Sequence, residues 1–250
     1  MSRATVIGIS GVTCGGKSSL TLMLKNMFPY AAVICQDDFY HTDESLLPKS
    51  SANNDMPNWD CLSSIDMISL TNKIKSTIYE SRLQSRRLLI IDGFLIFNYP
   101  PLAELCDLKY FLTLSYGQTL ARRMKRCYES PDPPGYFHNC VWPMYRFHLK
   151  EMQKQSYSKE IRYLDGNMPL QDNFDIIMRS LRSLGVWQIH VVPVVRFQKS
   201  FITLNILRLR RTNQVTNLSG SFMIIVIEPL IKRTAWKKWI RYWRLLHVKN

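Results

Sequence analysis

Gly11, Val12, Thr13, Cys14, Gly15, Gly16, Lys17 and Ser18 fit the pattern Gly-x-x-x-x-Gly-Lys-Ser/Thr, a backbone device for holding phosphates. Glycines at these positions let successive N–H groups converge on phosphate oxygens, and a helix opening at the loop adds its positive end. In that arrangement Lys17 reaches the β- and γ-phosphates of a nucleotide and the Ser18 hydroxyl ligates Mg²⁺. A glycine turn could carry the same letters by coincidence. The context argues against it, because the loop leaves an apolar strand pattern and enters a helical one.

Three carboxylates stand where such chemistry needs them. Asp37 and Asp38 follow a short apolar run, and Asp92 ends another. Ligands collect at the carboxyl ends of strands in open α/β sheets, so Asp37 is placed to take a proton from an acceptor hydroxyl. Asp92 is placed to hold Mg²⁺ directly or through water. Helix capping or a solvated loop is the plainer reading of the Asp37–Asp38 pair. Arg122, Arg123, Lys125 and Arg126 crowd one basic segment ahead of Asp132-Pro133-Pro134-Gly135. A solvated positive face would explain them, but a lid carrying cations to a migrating phosphoryl group is the reading favoured here.

The elements that must position these groups follow from periodicity. Residues 4–9, Ala31 to Cys35, Leu88 to Ile91, Lys109 to Leu114 and Ile161 to Leu164 read as strands. Ser19 to Phe28, about Ser64 to Arg82, Gln118 to Tyr128, Tyr145 to Tyr157 and Leu170 to Leu184 read as helices. In the second helix Ile65, Ile68, Ile74 and Ile78 are expected on one side, and residues 41–62 read as irregular. Alternating strands and helices up to residue 185 predict an α/β fold, a parallel sheet covered by helices on both sides.

Composition sets the limits. The chain has 250 residues, 46% of them apolar and 12% aromatic, which excludes a wholly disordered chain. The longest apolar runs, such as Phe222 to Ile227, are too short to span a bilayer. No signal peptide is expected ahead of the phosphate loop, and six cysteines without zinc spacing read as reduced thiols in a cytosolic protein. Net charge is +14, but residues 1–185 hold 21 basic and 18 acidic side chains, whereas residues 186–250 hold 12 and one. The basicity therefore belongs to a C-terminal extension, and nucleic-acid binding by the whole protein does not follow from it. The expected division is a kinase-like domain over 1–185 and a basic, irregular tail over 186–250. The tail holds Trp187, Trp236, Trp239 and Trp243 and could contact anionic surfaces weakly, or could be a terminus under no functional demand.

Several stretches together carry a resemblance. They are Gly8-Ile-Ser-Gly-Val-Thr, Gln36-Asp37-Asp38-Phe39, the run from Ile91 to Tyr99, Pro131 to Phe137, Val141-Trp-Pro-Met-Tyr145 and Tyr163-Leu-Asp-Gly166. Over roughly residues 3–184 the chain resembles the nicotinamide riboside kinases, P-loop nucleoside kinases that act in NAD biosynthesis. The resemblance implies ATP on Gly11 to Ser18, Arg122 and Arg126, and Mg²⁺ on Ser18 and Asp37. It implies that Asp37 accepts the proton of the ribose 5′-hydroxyl and that Asp38, Phe39 and Tyr40 border the nucleoside. The ring of Trp59 would stack on the nicotinamide and Asp60 would hold ribose hydroxyls, although Trp59 could also be a core anchor. Arg123, Tyr128 and Glu129 match substrate-side lid positions. Asp92 stands where the family has Glu, Glu129 where an amide is expected, and Met168-Pro169-Leu170 where polar nucleotide contacts are expected. A uridine or pantothenate kinase shares the loop and Asp37 but not the Trp59-Asp60 pair.

Overall fold

The computed structural model describes residues 3–50, 56–83, 88–126, 132–186, 189–193 and 223–227. Its elements run β1 (Thr5–Gly11), α1 (Lys17–Met27), β2 (Ala32–Cys35), the short pair β3 (Lys49–Ser50) and β4 (Met56–Pro57), and α2 (Met67–Leu83). Next come β5 (Leu88–Asp92), α3 (Pro100–Ala103), β6 (Leu108–Thr113), α4 (Tyr116–Arg123), α5 (Trp142–Gln153), β7 (Ile161–Asp165) and α6 (Leu170–Ser183). The expected α/β architecture is present. Five strands form one sheet in the order β2-β5-β1-β6-β7, and every pairing in it is parallel.

The central strands are apolar throughout because both faces are covered. Val6, Leu89 and Ile91 face a core built with Leu70 and Ile74 of α2, while Ile7, Ile9 and Ile90 alternate to the opposite face. There α1 packs against β1, β5 and α6. Register aligns the strand ends: Asp92 sits beside Ile9 of β1 and Cys35 of β2, and Gly11 beside Leu112 of β6. The chain crosses from one side of β1 to the other between β5 and β6, which opens a crevice above these carboxyl ends.

Four details correct the sequence reading. Ile68 is 67% exposed, and α2 instead buries Met67, Leu70, Thr71, Ile74, Thr77 and Ser81. The basic helix α4 ends at Arg123, so Lys125 and Arg126 lie in the turn beyond it. Residues Phe137–Val141 form a π-helical turn leading into α5, where a helix had been expected only from Tyr145. The stretch read as irregular holds the antiparallel pair β3–β4.

Helix α6 stops at Gly185, whose φ of +69° lies in the left-handed region. The Gly185 N–H donates to the Arg182 carbonyl at 3.0 Å and the Val186 N–H to the Leu181 carbonyl at 3.1 Å, a Schellman closure. The chain divides into two compact units, Met1–Val186 and Trp187–Asn250. In the second unit β8 (Ile189–Pro193) and β9 (Met223–Ile227) pair antiparallel, so the expected irregular tail contains a two-stranded sheet. The tail tryptophans lie outside the described residues. No helix among the described residues is long and apolar enough to cross a membrane.

Candidate active site

The phosphate loop is shaped by backbone constraints. Gly11 has φ +128°, and a Cβ there would stand 2.2 Å from the Leu112 carbonyl oxygen, so no other residue fits. The Val12 N–H donates to that same oxygen at 3.0 Å, stapling the loop to β6. Cys14 is the one non-glycine with positive φ (58°) among the described residues, a strain of about 1–3 kcal/mol of the kind that collects at functional sites. Gly16 opens α1 without a side-chain cap, which leaves the helix's first N–H groups to face an anion.

Lys17 folds back over the loop, donating to the carbonyls of Gly11 (3.2 Å) and Val12 (3.0 Å). Burial lowers its pKa, while the nearby Asp92 and then Asp37 oppose that shift. Burial likewise raises the pKa of Asp37, with Lys17 opposing. Lys17, Asp37, Asp92 and Ser18 all line one cleft of about 310 Å³.

Gln36 sets the geometry of Asp37. Its fully buried amide oxygen accepts from the N–H groups of Phe94 (2.9 Å) and Leu95 (3.0 Å), tying the end of β2 to the end of β5. The approach is so close that a Cβ on Gly93 would meet Gln36 Cβ at 2.5 Å. The single 3₁₀ turn Gln36–Phe39 then separates its residues. Asp37 and Tyr40 line the cleft, whereas Asp38 does not and Phe39 packs on the core.

The far end of the cleft is aromatic and acidic. Tyr40 meets Trp59 edge-on at 5.6 Å and stacks with Phe94 at 6.4 Å. Trp59 lines the cleft and packs against the Tyr136–Val141 cluster. The Tyr136 hydroxyl accepts from the Trp59 N–H and donates to Asp60 Oδ2, each at 3.3 Å. Burial pushes the Asp60 carboxyl up to about 6, against the opposing pull of Arg123.

Of the basic cluster, Arg123 and Arg126 line the cleft and Arg122 and Lys125 do not. Arg122 instead donates to the carbonyls of Cys14 (3.2 Å) and Gly166 (3.0 Å), bracing the phosphate loop against the turn after β7. Arg123 grips Asp132 bidentately at 2.5 and 2.9 Å and reaches Thr13 Oγ1 at 3.1 Å. Cys14, Gly15 and Gly16 belong to the loop without facing the cleft, and Tyr128 and Glu129 lie outside the described residues. Met168 and Leu170 are partly exposed after β7, with Leu170 close to Gly16.

The sequence reading missed Asn58, Asp132 and His148. Tyr136, Trp142 and Tyr145 sat in the quoted stretches without a role, yet all three line the cleft with Asp132 and His148.

No protein-family model matches the chain. Nicotinamide riboside kinase 1 of Rattus norvegicus is 37% identical over 190 residues, covering 72% of this chain and 95% of that protein. Nicotinamide riboside kinase 1 of Homo sapiens is 36% identical, covering 69% of this chain and 89% of its own. The nicotinamide riboside kinase of Schizosaccharomyces pombe is 26% identical over 186 residues. Relatives at this identity and coverage, joined to a phosphate loop that faces an aromatic–carboxylate cleft, establish that the chain belongs to the nicotinamide riboside kinase family.

Proposed function

We propose that the cleft transfers the γ-phosphoryl group of ATP to the 5′-hydroxyl of nicotinamide riboside, giving nicotinamide mononucleotide and ADP. The observation that carries this reading is that Asp37, the phosphate loop and the Trp59–Asp60 pair line one cavity. The acceptor oxygen forms a bond to the γ-phosphorus as the bond to the β–γ bridging oxygen breaks, and the hydroxyl proton passes to Asp37. Asp60 is suited to accept hydrogen bonds from ribose hydroxyls, and the ring of Trp59 to stack on a flat base. Lys17, Arg123 and Arg126 supply cations to charge that develops on the migrating group.

The oxygen donors Ser18, Asp37 and Asp92 suit Mg²⁺, a hard cation held by one or two carboxylates together with phosphate oxygens. Bound there it would neutralise charge on the β- and γ-phosphates.

The test is a panel of nicotinamide riboside, nicotinate riboside, uridine and pantothenate, each with ATP and Mg²⁺, read by mass spectrometry. Phosphorylation of the pyridine ribosides is expected. Turnover of uridine or pantothenate alone would replace this reading with the neighbouring kinase activity.

A further inference from the structure

The short loop Asn58–Asp60, which presents Trp59 and Asp60, has no regular secondary structure to satisfy its backbone. Its polar groups are instead pinned one by one. The Asn58 N–H donates to the Pro48 carbonyl at 2.7 Å, and the Asn58 carbonyl accepts from Ser64 Oγ at 2.6 Å. The Asp60 N–H donates to Asn58 Oδ1 at 3.1 Å. The Trp59 N–H donates to the Tyr136 hydroxyl at 3.3 Å, and the Asp60 carbonyl is held by Nε2 of His148 at 3.0 Å.

We infer that His148 is a positioning residue for the acceptor site, its Nε2–H fixing the Asp60 backbone and so aiming the Asp60 carboxylate at the substrate. The inference rests on the reading of this cleft as a nucleoside site. His148 is only 8% exposed and lies on α5, in the wall between the cleft and an apolar groove beyond it. A carbonyl oxygen only accepts, so the proton sits on Nε2 and the ring is the neutral Nε2–H tautomer. Burial lowers the imidazole pKa, which favours that neutral form, with the hydrogen bond to the Asp60 carbonyl and then Glu151 of the same helix opposing.

The anchor is itself anchored. The His148 carbonyl accepts from Asn98 Nδ2 at 2.7 Å, and Asn98 follows the strand that ends at Asp92. A chain of hydrogen bonds therefore runs from the segment after β5, through His148, to the backbone of Asp60. The carboxylate end of that residue meets Tyr136, with Arg123 and Asp132 as its charged neighbours. Loss of the His148 donor frees one end of a residue whose other end must meet ribose hydroxyls.

The experiment compares the full-length protein with His148→Phe and His148→Leu, which fill the space without a donor, and His148→Gln, whose amide N–H can reach the same carbonyl. Two readouts are taken beside thermal melting: the Asp60 carboxyl pKa by ¹³C NMR of the free protein, and KM for nicotinamide riboside and for ATP. In the donorless variants the Asp60 pKa is expected to fall by about one unit or more toward its ordinary value as the carboxyl gains water. KM for the riboside should rise about tenfold, with KM for ATP and kcat within about twofold, and His148→Gln should restore both readouts. An unmoved Asp60 titration in both donorless variants, or a His148→Gln that behaves like them, overturns the inference. The titration needs no nucleoside, so it decides the role of His148 even where the riboside panel overturns the acceptor reading.

Discussion

Replacing Asp60 by Asn should stabilise the protein at neutral pH while weakening nucleoside binding. The Asp60 carboxyl titrates at about 6 against an ordinary 3.8, chiefly because burial penalises its charge. One unit corresponds to about 1.4 kcal/mol, so holding this group ionised in the folded state costs about 3 kcal/mol at pH 7. The folded pKa lies above the unfolded one, so the folded state binds more protons between pH 3.8 and 6. Stability contributed by this residue is therefore present below about pH 4 and lost as the pH rises through 6. Asn keeps an oxygen to accept from Tyr136 and carries no charge to desolvate. The stability gap between Asp60→Asn and the parent should thus grow in favour of the variant by about 2–3 kcal/mol from pH 4 to pH 7. Urea unfolding at half-unit pH intervals measures the gap, and steady-state kinetics should show KM for the riboside rising in the same variant. A gap independent of pH, or one that grows in favour of the parent, would refute the reasoning.

Three further outcomes are expected. Arg126→Ala should lower kcat more than it lowers ATP affinity, because charge on the phosphoryl group develops in the transition state; a change in KM alone would mean uniform binding. Gly93→Ala forces a Cβ to within 2.5 Å of Gln36 Cβ, so it should destabilise by about 1–3 kcal/mol in chemical unfolding and misplace Asp37; a variant with parental stability would show that the turn yields. A chain ending at Val186 should stay folded and active, since the sheet, its helices and the Schellman stop all precede that point; insolubility or lost activity would assign the second unit to the fold.

What the sequence disclosed was the part governed by local chemistry. The phosphate loop could be read because its glycines answer to backbone geometry, as the clash of Gly11 with Leu112 makes plain. Asp37 and Asp92 were legible as strand-end carboxylates, and register then set Cys35 beside Asp92. The face of α2 was misread because apolar periodicity overlooks buried hydroxyls. Thr71, Thr77 and Ser81 enter the core by donating to the carbonyls of Met67, Lys73 and Thr77 at 2.6–2.8 Å, leaving Ile68 outside. Asp38 looked equivalent to Asp37 until the 3₁₀ turn faced them differently. Asn58 and His148 gave no signal, since each acts through a partner remote in sequence or through a carbonyl that any residue type carries, and Asp132 was read only as loop although its partner Arg123 lies on the basic segment just before it.

The central claim is that Asp37 takes the acceptor proton while the phosphate loop holds ATP. Single-turnover transfer from ATP to nicotinamide riboside, measured for the parent and Asp37→Asn with ATP binding determined in parallel, tests it most directly. The account predicts nicotinamide mononucleotide from the parent, and in the variant a transfer rate lower by about 10²-fold or more with ATP still bound. Near-parental transfer by Asp37→Asn would contradict it.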